Sequence, residues 1–256
     1  MPLSSRKPKP YPKPSDSGGV LIRRLIAFLR AHKISPASTT SAKLIIAISG
    51  GTDSLALAHL LVHYGRRICA RKQLRLLHIN HNWRGESSKA DEEFVKNLAK
   101  DWGVPLTVKR LKWSPKPGES WEDLARAARK KIYVELSNKY QARIFTAHHM
   151  DDQAETVLWR LLTGASQLTG GILVEHGVEV RALLTTRKKE LENYLSEEGL
   201  TGRVDETNFN ERFLRARMRK RLMPVIEELF PKSIEKLALI GLSAQQAAAS
   251  RAGGLK

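Results

Sequence analysis

The stretch Leu44-Ile-Ile-Ala-Ile-Ser49-Gly50-Gly51-Thr52-Asp53-Ser54-Leu55 constrains the fold more than any other in this chain. A short apolar run rich in β-branched residues ends in paired glycines, and a helical pattern starts at once. Glycine permits a tight turn and lets the backbone approach a ligand closely. The first amides of the helix that follows lack intrahelical partners, and with the helix dipole they favour an anion such as phosphate. Ser49, Thr52 and Ser54 add hydroxyl donors. Neither Gly-x-x-x-x-Gly-Lys-Ser/Thr nor Gly-x-Gly-x-x-Gly fits this turn, so the fingerprints built on those spacings do not apply. Taken alone, the turn reads equally well as a helix start capped by Asp53 or Ser54.

The rest of the chain repeats the strand-then-helix alternation. Strands are expected at 43–48, 74–79, 105–111, 142–146 and 178–184, and helices at 54–64, 88–101, 121–139, 152–163 and 187–198. Ser88-x-x-Asp91 and Ser120-x-x-Asp123 offer capping boxes. Short strands alternating with longer helices predict right-handed βαβ units, hence an α/β fold with a doubly wound parallel sheet. Residues 43–184 are expected to form that domain, and 185–256 a small basic helical appendage. Residues 1–19, rich in Pro, Lys and Ser, read as a disordered basic tail. Residues 20–42 read as an amphipathic helix, with Leu21, Leu25, Phe28 and Leu29 on one side, and a linker.

Composition limits the function. Lys and Arg total 44 against 26 Asp and Glu, a formal charge of +18, which predicts a polyanionic partner such as nucleic acid. The single cysteine, Cys69, excludes a disulfide framework or a Cys-rich metal site within one chain and fits a reducing, cytoplasmic setting. There is no apolar run of membrane-spanning length. No membrane partner is expected, and a homodimer is admitted but not required.

Ser-Gly-Gly-x-Asp-Ser resembles the pyrophosphate loop of ATP-pyrophosphatases, which split ATP into AMP and pyrophosphate while adenylating a substrate. Further segments narrow this: His78-Ile-Asn80-His81, Ala125-Arg126-x-x-Arg129, Thr146-Ala-His148-His149-Met-Asp151-Asp152-Gln-Ala-Glu155-Thr156, and Asp205-Glu-Thr-Asn208 running to Arg215-Ala-Arg217-Met-Arg219 and Pro224. Together they resemble the tRNA(Ile)-lysidine synthase family over about residues 43–228. Departures are Asn80 where that family often has Asp, Ala182 where proline is usual, and Ala216 where Asn is usual. Few residues follow 228, so the resemblance implies a compact form.

That resemblance implies ATP and Mg²⁺ as cofactors, and tRNA(Ile) and free lysine as partners. The wobble cytidine of the CAU anticodon would be adenylated at its C2 oxygen, and the ε-amine of lysine would displace AMP. Ser49, Gly50, Gly51, Thr52, Asp53 and Ser54 would bind ATP, with Asp53 near the metal. Asp152 and Glu155, three residues apart on one helix face, suit a cationic amine; the resemblance makes that amine lysine. Acids in a first helical turn also simply complement the dipole. His148 and His149 end a strand beside the expected nucleotide; one of them, His148 first, could contact phosphate or ribose or move a proton, and one reads equally as a packed, hydrogen-bonded histidine. Arg126 and Arg217 would offset charge near the α-phosphate or the RNA, with Arg129 a second candidate one turn on.

The C-terminal helix carries Leu214, Met218, Leu222, Val225 and Leu229 at intervals of three or four, an expected docking stripe. Arg212, Arg215, Arg217 and Arg219 fill other directions and are expected to contact tRNA. Pro224 should restart that helix. Trp83 and Trp113 read either as base-stacking residues or as buried anchors. A thiolase would need paired cysteines, which Cys69 cannot supply. Small-molecule amidation leaves the charge unexplained, and a non-catalytic RNA-binding protein leaves Asp53 and Ser54 without a task.

Overall fold

The computed structural model describes residues 13–34, 43–83, 85–112, 121–164, 170–203 and 214–253. Within these, the strands β1 (Lys43–Ala47), β2 (Leu74–Asn80), β3 (Leu106–Arg110), β4 (Ala142–His149), β5 (Glu175–His176) and β6 (Glu179–Leu183) form one sheet in the order β3-β2-β1-β4-β6-β5. All pairings are parallel except β5 with β6. Central β1 aligns Ile46 with Leu76 on one side and with Phe145 on the other. Covered on both faces, such a strand must be apolar throughout, and Leu44, Ile45 and Ile46 are fully buried.

Successive side chains of a strand point to opposite faces. Leu44, Ile46, Leu76 and Phe145 therefore pack with α1 (Asp16–Ala31), α2 (Thr52–Tyr64), α3 (Glu86–Trp102) and α6 (Lys188–Glu197). Ile45, Leu77 and Ile144 pack with Ile132, Tyr133 and Leu136 of α4 (Trp121–Tyr140) on the other face. From β1 the chain steps outward to β2 and β3, then crosses back to β4 on β1's far side. This is the expected doubly wound sheet. The reversal opens a crevice at the carboxyl ends of β1 and β4, where ligands of such sheets generally sit.

Several boundaries differ from expectation. α1 starts at Asp16, inside the stretch read as tail, because Ser15 caps it and its first turn is held by α6: Ser17 donates to Glu197, and Ser15 donates to Glu198 at 2.7 Å. α3 starts at Glu86, after Gly85 at φ +50°, so Ser88 lies within the helix and is not its cap. The linker at 35–42, Ser120 and Trp113 lie outside the described residues. α6, expected in the appendage, buries Leu191, Tyr194 and Leu195 in the main core. No described helix is long and apolar enough to cross a membrane.

The C-terminal helices pack beside α5 (Met150–Leu162). They are α7 (Leu214–Arg217), α8 (Met223–Leu229) and α9 (Ser233–Gly253), with one π turn (Met218–Leu222) joining the first two. Pro224 has no N–H and its ring crowds the carbonyl four residues back. The π turn absorbs this: Met223 N–H bonds Met218 C=O, five residues back, and Pro224 enters the first turn of α8. The inserted turn shifts the helix phase and breaks the expected stripe. Met218 and Met223 are buried, whereas Leu214, Val225 and Leu229 are exposed.

Under the α1–α2–α6 layer, His59 Nδ1 lies 2.6 Å from the Tyr194 hydroxyl, and the His63 ring stacks 4.3 Å from that of His59. Burial, helped by the charges of His59 and Arg71, lowers the His63 pKa from 6.5 to about 4. The unfolded chain then binds more protons between pH 4 and 6.5, so stability present above pH 6.5 is lost as pH falls through 4. We expect a loss on the order of 2 kcal/mol across that window, read by thermal unfolding. His63→Gln should flatten the slope; an unchanged slope would place the titration elsewhere.

Candidate active site

The phosphate-loop candidate follows β1 directly. Ile48 N–H bonds Leu77 C=O at 2.9 Å, and the Ile48 carbonyl lies 2.9 Å from His78 Nδ1. Gly50 adopts φ +101°, which strains any side chain, and Phe94 and Val95 of α3 lie beneath it. The serine hydroxyls brace the loop instead of pointing away from it. Ser54 Oγ accepts from Ser49 N–H at 3.1 Å and donates to Gly51 C=O at 2.9 Å, while Ser49 Oγ accepts from Gly51 N–H at 3.3 Å. The first intrahelical bond of α2 runs from Leu55 N–H to Gly51 C=O. The amides of Thr52, Asp53 and Ser54 precede it, as an anion seat requires.

β4 runs three residues further than expected, to His149, so His148 and His149 point to opposite faces. His149 is almost fully buried at the start of α5. Its Nε2 lies 3.6 Å from Asp53 Oδ2 and 3.4 Å from Asp152 Oδ2, and its Nδ1 lies 3.6 Å from Asp151 Oδ2. Burial opposes its charge, but Asp152, Asp151 and Asp53 outweigh this and raise its pKa to about 10. These carboxylates favour the protonated form of the ring. Burial also opposes ionisation of Asp152, yet His149, His148 and Arg219 hold its pKa below the usual carboxylate value. Asp53 Oδ1 is buried and has no hydrogen-bond partner among the described residues.

The acid pair is assembled as the sequence spacing suggests, and a cation already lies across it. Arg219 donates from Nε to Glu155 Oε1 at 2.6 Å, and from Nη2 to Asp152 Oδ1 and Glu155 Oε2 at 2.9 Å each. Arg219, expected to contact RNA, bonds both acids of the pair while its side chain stays 41% exposed. Arg215 donates to Thr156 Oγ1 at 2.6 Å and remains half-exposed. Arg217 is exposed, and Arg212 lies outside the described residues. Arg126 is exposed on α4, whereas Arg129 lies closer in and its charge helps lower the pKa of His148, after burial, the main cause. His148 lies 3.0 Å from Thr146 Oγ1 and 3.9 Å from Glu179, and Asp152 is near enough to favour its charged form. Trp83 is exposed.

Sequence reasoning passed over three features: the central place of His149, the tie between Asp151 and α6, and the partner of Asn80. Asp151 accepts from Lys188 N–H at 2.8 Å and pairs with Arg187, which also reaches Glu227 and Glu235 at 2.8 Å each. Asn80 donates to Glu92 Oε2 at 2.9 Å and to Ser88 C=O at 3.1 Å, and accepts from Asn82 N–H at 2.8 Å. Glu92 is buried, and its bond from Arg110 is the main reason its pKa lies well below the ordinary value. An amide suits that neighbour, because a second carboxylate there could not donate. Strand alternation was the signal available for His149; nothing local marked the other two.

Two stability outcomes follow. Asn80→Asp sets two carboxylates against each other and should cost about 2 kcal/mol in denaturant unfolding at pH 7, recovered in part as pH falls. Arg219→Ala leaves buried Glu155 with only the distant Arg215 and should cost about 3 kcal/mol, whereas Arg217→Ala should change stability by under about 0.5 kcal/mol.

The model of a PP-loop domain matches residues 22–226. The chain is 38% identical over 198 residues to a tRNA(Ile)-lysidine synthase of Clostridium perfringens, covering 75% of this chain and 42% of that protein. It is 39% identical over 199 residues to the protein of that name from Chlamydia pneumoniae, covering 74% and 59%. The chain spans about half the length of the curated relatives it matches. Among solved structures, a U34-tRNA thiolase of Methanococcus maripaludis with its [4Fe-4S] cluster shares the fold, with TM-score 0.66 and 16% identity over 90% of this chain and 80% of that one. Matched over most of its length, loop and sheet included, this chain belongs to the PP-loop domain family.

Proposed function

We propose that this chain ligates lysine to C2 of the wobble cytidine of tRNA(Ile) with a CAU anticodon, at the expense of ATP. In the first step the cytidine C2 oxygen attacks the α-phosphorus and pyrophosphate leaves. In the second, the ε-ammonium of lysine passes a proton to solvent, the resulting amine attacks C2, and the C2–O bond breaks to release AMP. The observation that carries the reading is the His149 ring, which lies 3.6 Å from Asp53 of the loop and 3.4 Å from Asp152 of the acid pair. One buried ring thus lies between the loop, read as the anion seat, and the acid pair, read as the amine seat. The relatives named above support the acceptor.

In this reading the amides of Thr52, Asp53 and Ser54 bind the departing pyrophosphate, an electrostatic task. The buried, unpartnered Asp53 Oδ1 is a hard oxygen suited to Mg²⁺, which characteristically takes one or two carboxylates and completes its shell with phosphate and water. Bound there, the ion would offset phosphate charge. Asp152 and Glu155 bind the ε-ammonium; it displaces the Arg219 guanidinium from Asp152, while Glu155 keeps Arg219 through its two contacts. Arg217 and the exposed edge of Arg215 face the RNA phosphates, with Arg212 beside them in sequence. Arg129, nearer to His148 than Arg126 is, becomes the better candidate for the α-phosphate.

The thiolase alternative is disfavoured at Cys69, which is buried and whose thiol burial raises to a pKa of about 11. Such a thiol stays protonated and unreactive.

Incubation with ATP, radiolabelled lysine and the CAU-anticodon tRNA should place label in the RNA; none would overturn the reading. Asp53→Asn should abolish ATP turnover while tRNA affinity stays within about twofold, and that affinity should fall steeply with salt. Asp152→Asn should raise the lysine KM by about tenfold or more, and by more than it raises the ATP KM.

A further inference from the structure

Beyond α6 the chain turns through Gly199 and runs as an extended strap, residues 200–203, across the phosphate loop. Arg203 N–H donates to Gly50 C=O at 2.9 Å. Arg203 also pairs with Asp91 of α3. Gly202 is buried against the loop backbone: a Cβ there would lie 2.5 Å from Thr52 N, 2.7 Å from Thr52 Cα and 3.0 Å from Gly51 C. These are main-chain atoms and cannot swing aside. Only glycine lets the strap lie where it does.

The strap acts on the most labile peptide of the loop. A Gly–Gly linkage has little steric preference to hold its plane, and Gly50 already sits at φ +101°. In a trans peptide the C=O and the next N–H point in opposite directions. Fixing Gly50 C=O towards Arg203 therefore fixes Gly51 N–H on the loop's other side, where it donates to Ser49 Oγ at 3.3 Å. Were that peptide to flip, this bond would be lost and a carbonyl would face the phosphate seat in place of an N–H, repelling phosphate oxygens. We propose that Gly202 and Arg203 are positioning residues for the phosphate seat. They act from outside the Ser49–Ser54 motif, holding the loop in its amide-presenting state for the polyphosphate of the nucleotide. The inference rests on the nucleotide reading above and adds to it a second segment of the chain.

The test is calorimetric, with the full chain and Mg²⁺, titrating ATP, inorganic pyrophosphate and AMP. Gly202→Ala lifts the strap, Arg203→Pro removes the N–H donor, and Arg203→Ala keeps that donor while losing the Asp91 pair. Gly202→Ala and Arg203→Pro should each weaken ATP and pyrophosphate by about tenfold or more, with AMP within about twofold, because AMP does not reach the pyrophosphate amides. Arg203→Ala should stay within about threefold for all three. Thermal midpoints identify any variant that fails to fold, and the other variant then decides. Unchanged ATP affinity, equal loss for AMP and ATP, or tighter ATP binding by Gly202→Ala, as expected of a strap that blocks the seat, would each overturn the proposal. A wild-type chain that binds neither ATP nor pyrophosphate would instead overturn the nucleotide reading on which it rests.

Discussion

A charged imidazole ring cannot stay buried without anionic partners, since removing an ion from water costs several kcal/mol unless it is paired. His149 meets this condition with three carboxylates drawn from two helix starts: Asp53 on α2, and Asp151 and Asp152 on α5. Each of these acids is committed elsewhere as well. Asp151 caps the start of α6 through Lys188 N–H and pairs with Arg187. Asp152 pairs with Arg219, from the far end of the chain. Loop, acid pair, α6 and the C-terminal helices therefore share one electrostatic centre at the switch point of the sheet. Disturbing any of them changes the surroundings of the others.

The sheet was legible because burial on two faces leaves little freedom. A strand such as β1 must be apolar throughout, and a chain with several such runs between helical patterns has few topologies open to it. The loop was legible for a similar reason, since a positive φ beside a helix start calls for glycine at position 50. Position 51 is different: its backbone is extended, and a Cβ there would meet only ordinary contacts, so the second glycine is not forced by local geometry. Gly202 was invisible in the sequence. A single glycine in a short polar stretch carries no pattern, and its constraint comes from backbone about 150 positions earlier in the chain.

The histidines and the C-terminal stripe divide along the same line. His148 and His149 are adjacent in sequence, and the end of β4 decides which faces the acids; a strand placed three residues short leaves that choice open. For the stripe, the error lay in the assumed period. Spacing by 3.6 residues predicts one apolar stripe from Leu214 to Leu229, but the π turn forced by Pro224 slips the phase within it. Met223 then packs with Ala154 of α5 and Ile234 of α9, and Met218 is buried as well. A proline's effect on the four residues before it belongs in any reading of helical faces.

The segment from Leu214 to Leu222 separates two tasks a strongly basic protein would otherwise confuse. A site for an amine must be acidic, and in a chain of charge +18 it needs shelter from neighbouring cations. Asp53, Asp151, Asp152 and Glu155 gather at His149, Arg187, Arg215 and Arg219, so the acids of this site are held apart from the basic surface. Arg217, two residues before Arg219, stays at the surface. Helical spacing places residues 215 and 219 on one face and 217 nearly opposite. Arg219 closes over Glu155 and Arg215 bonds Thr156 beside it while Arg217 faces solvent, so one short helical segment borders the buried acids on one side and solvent on the other.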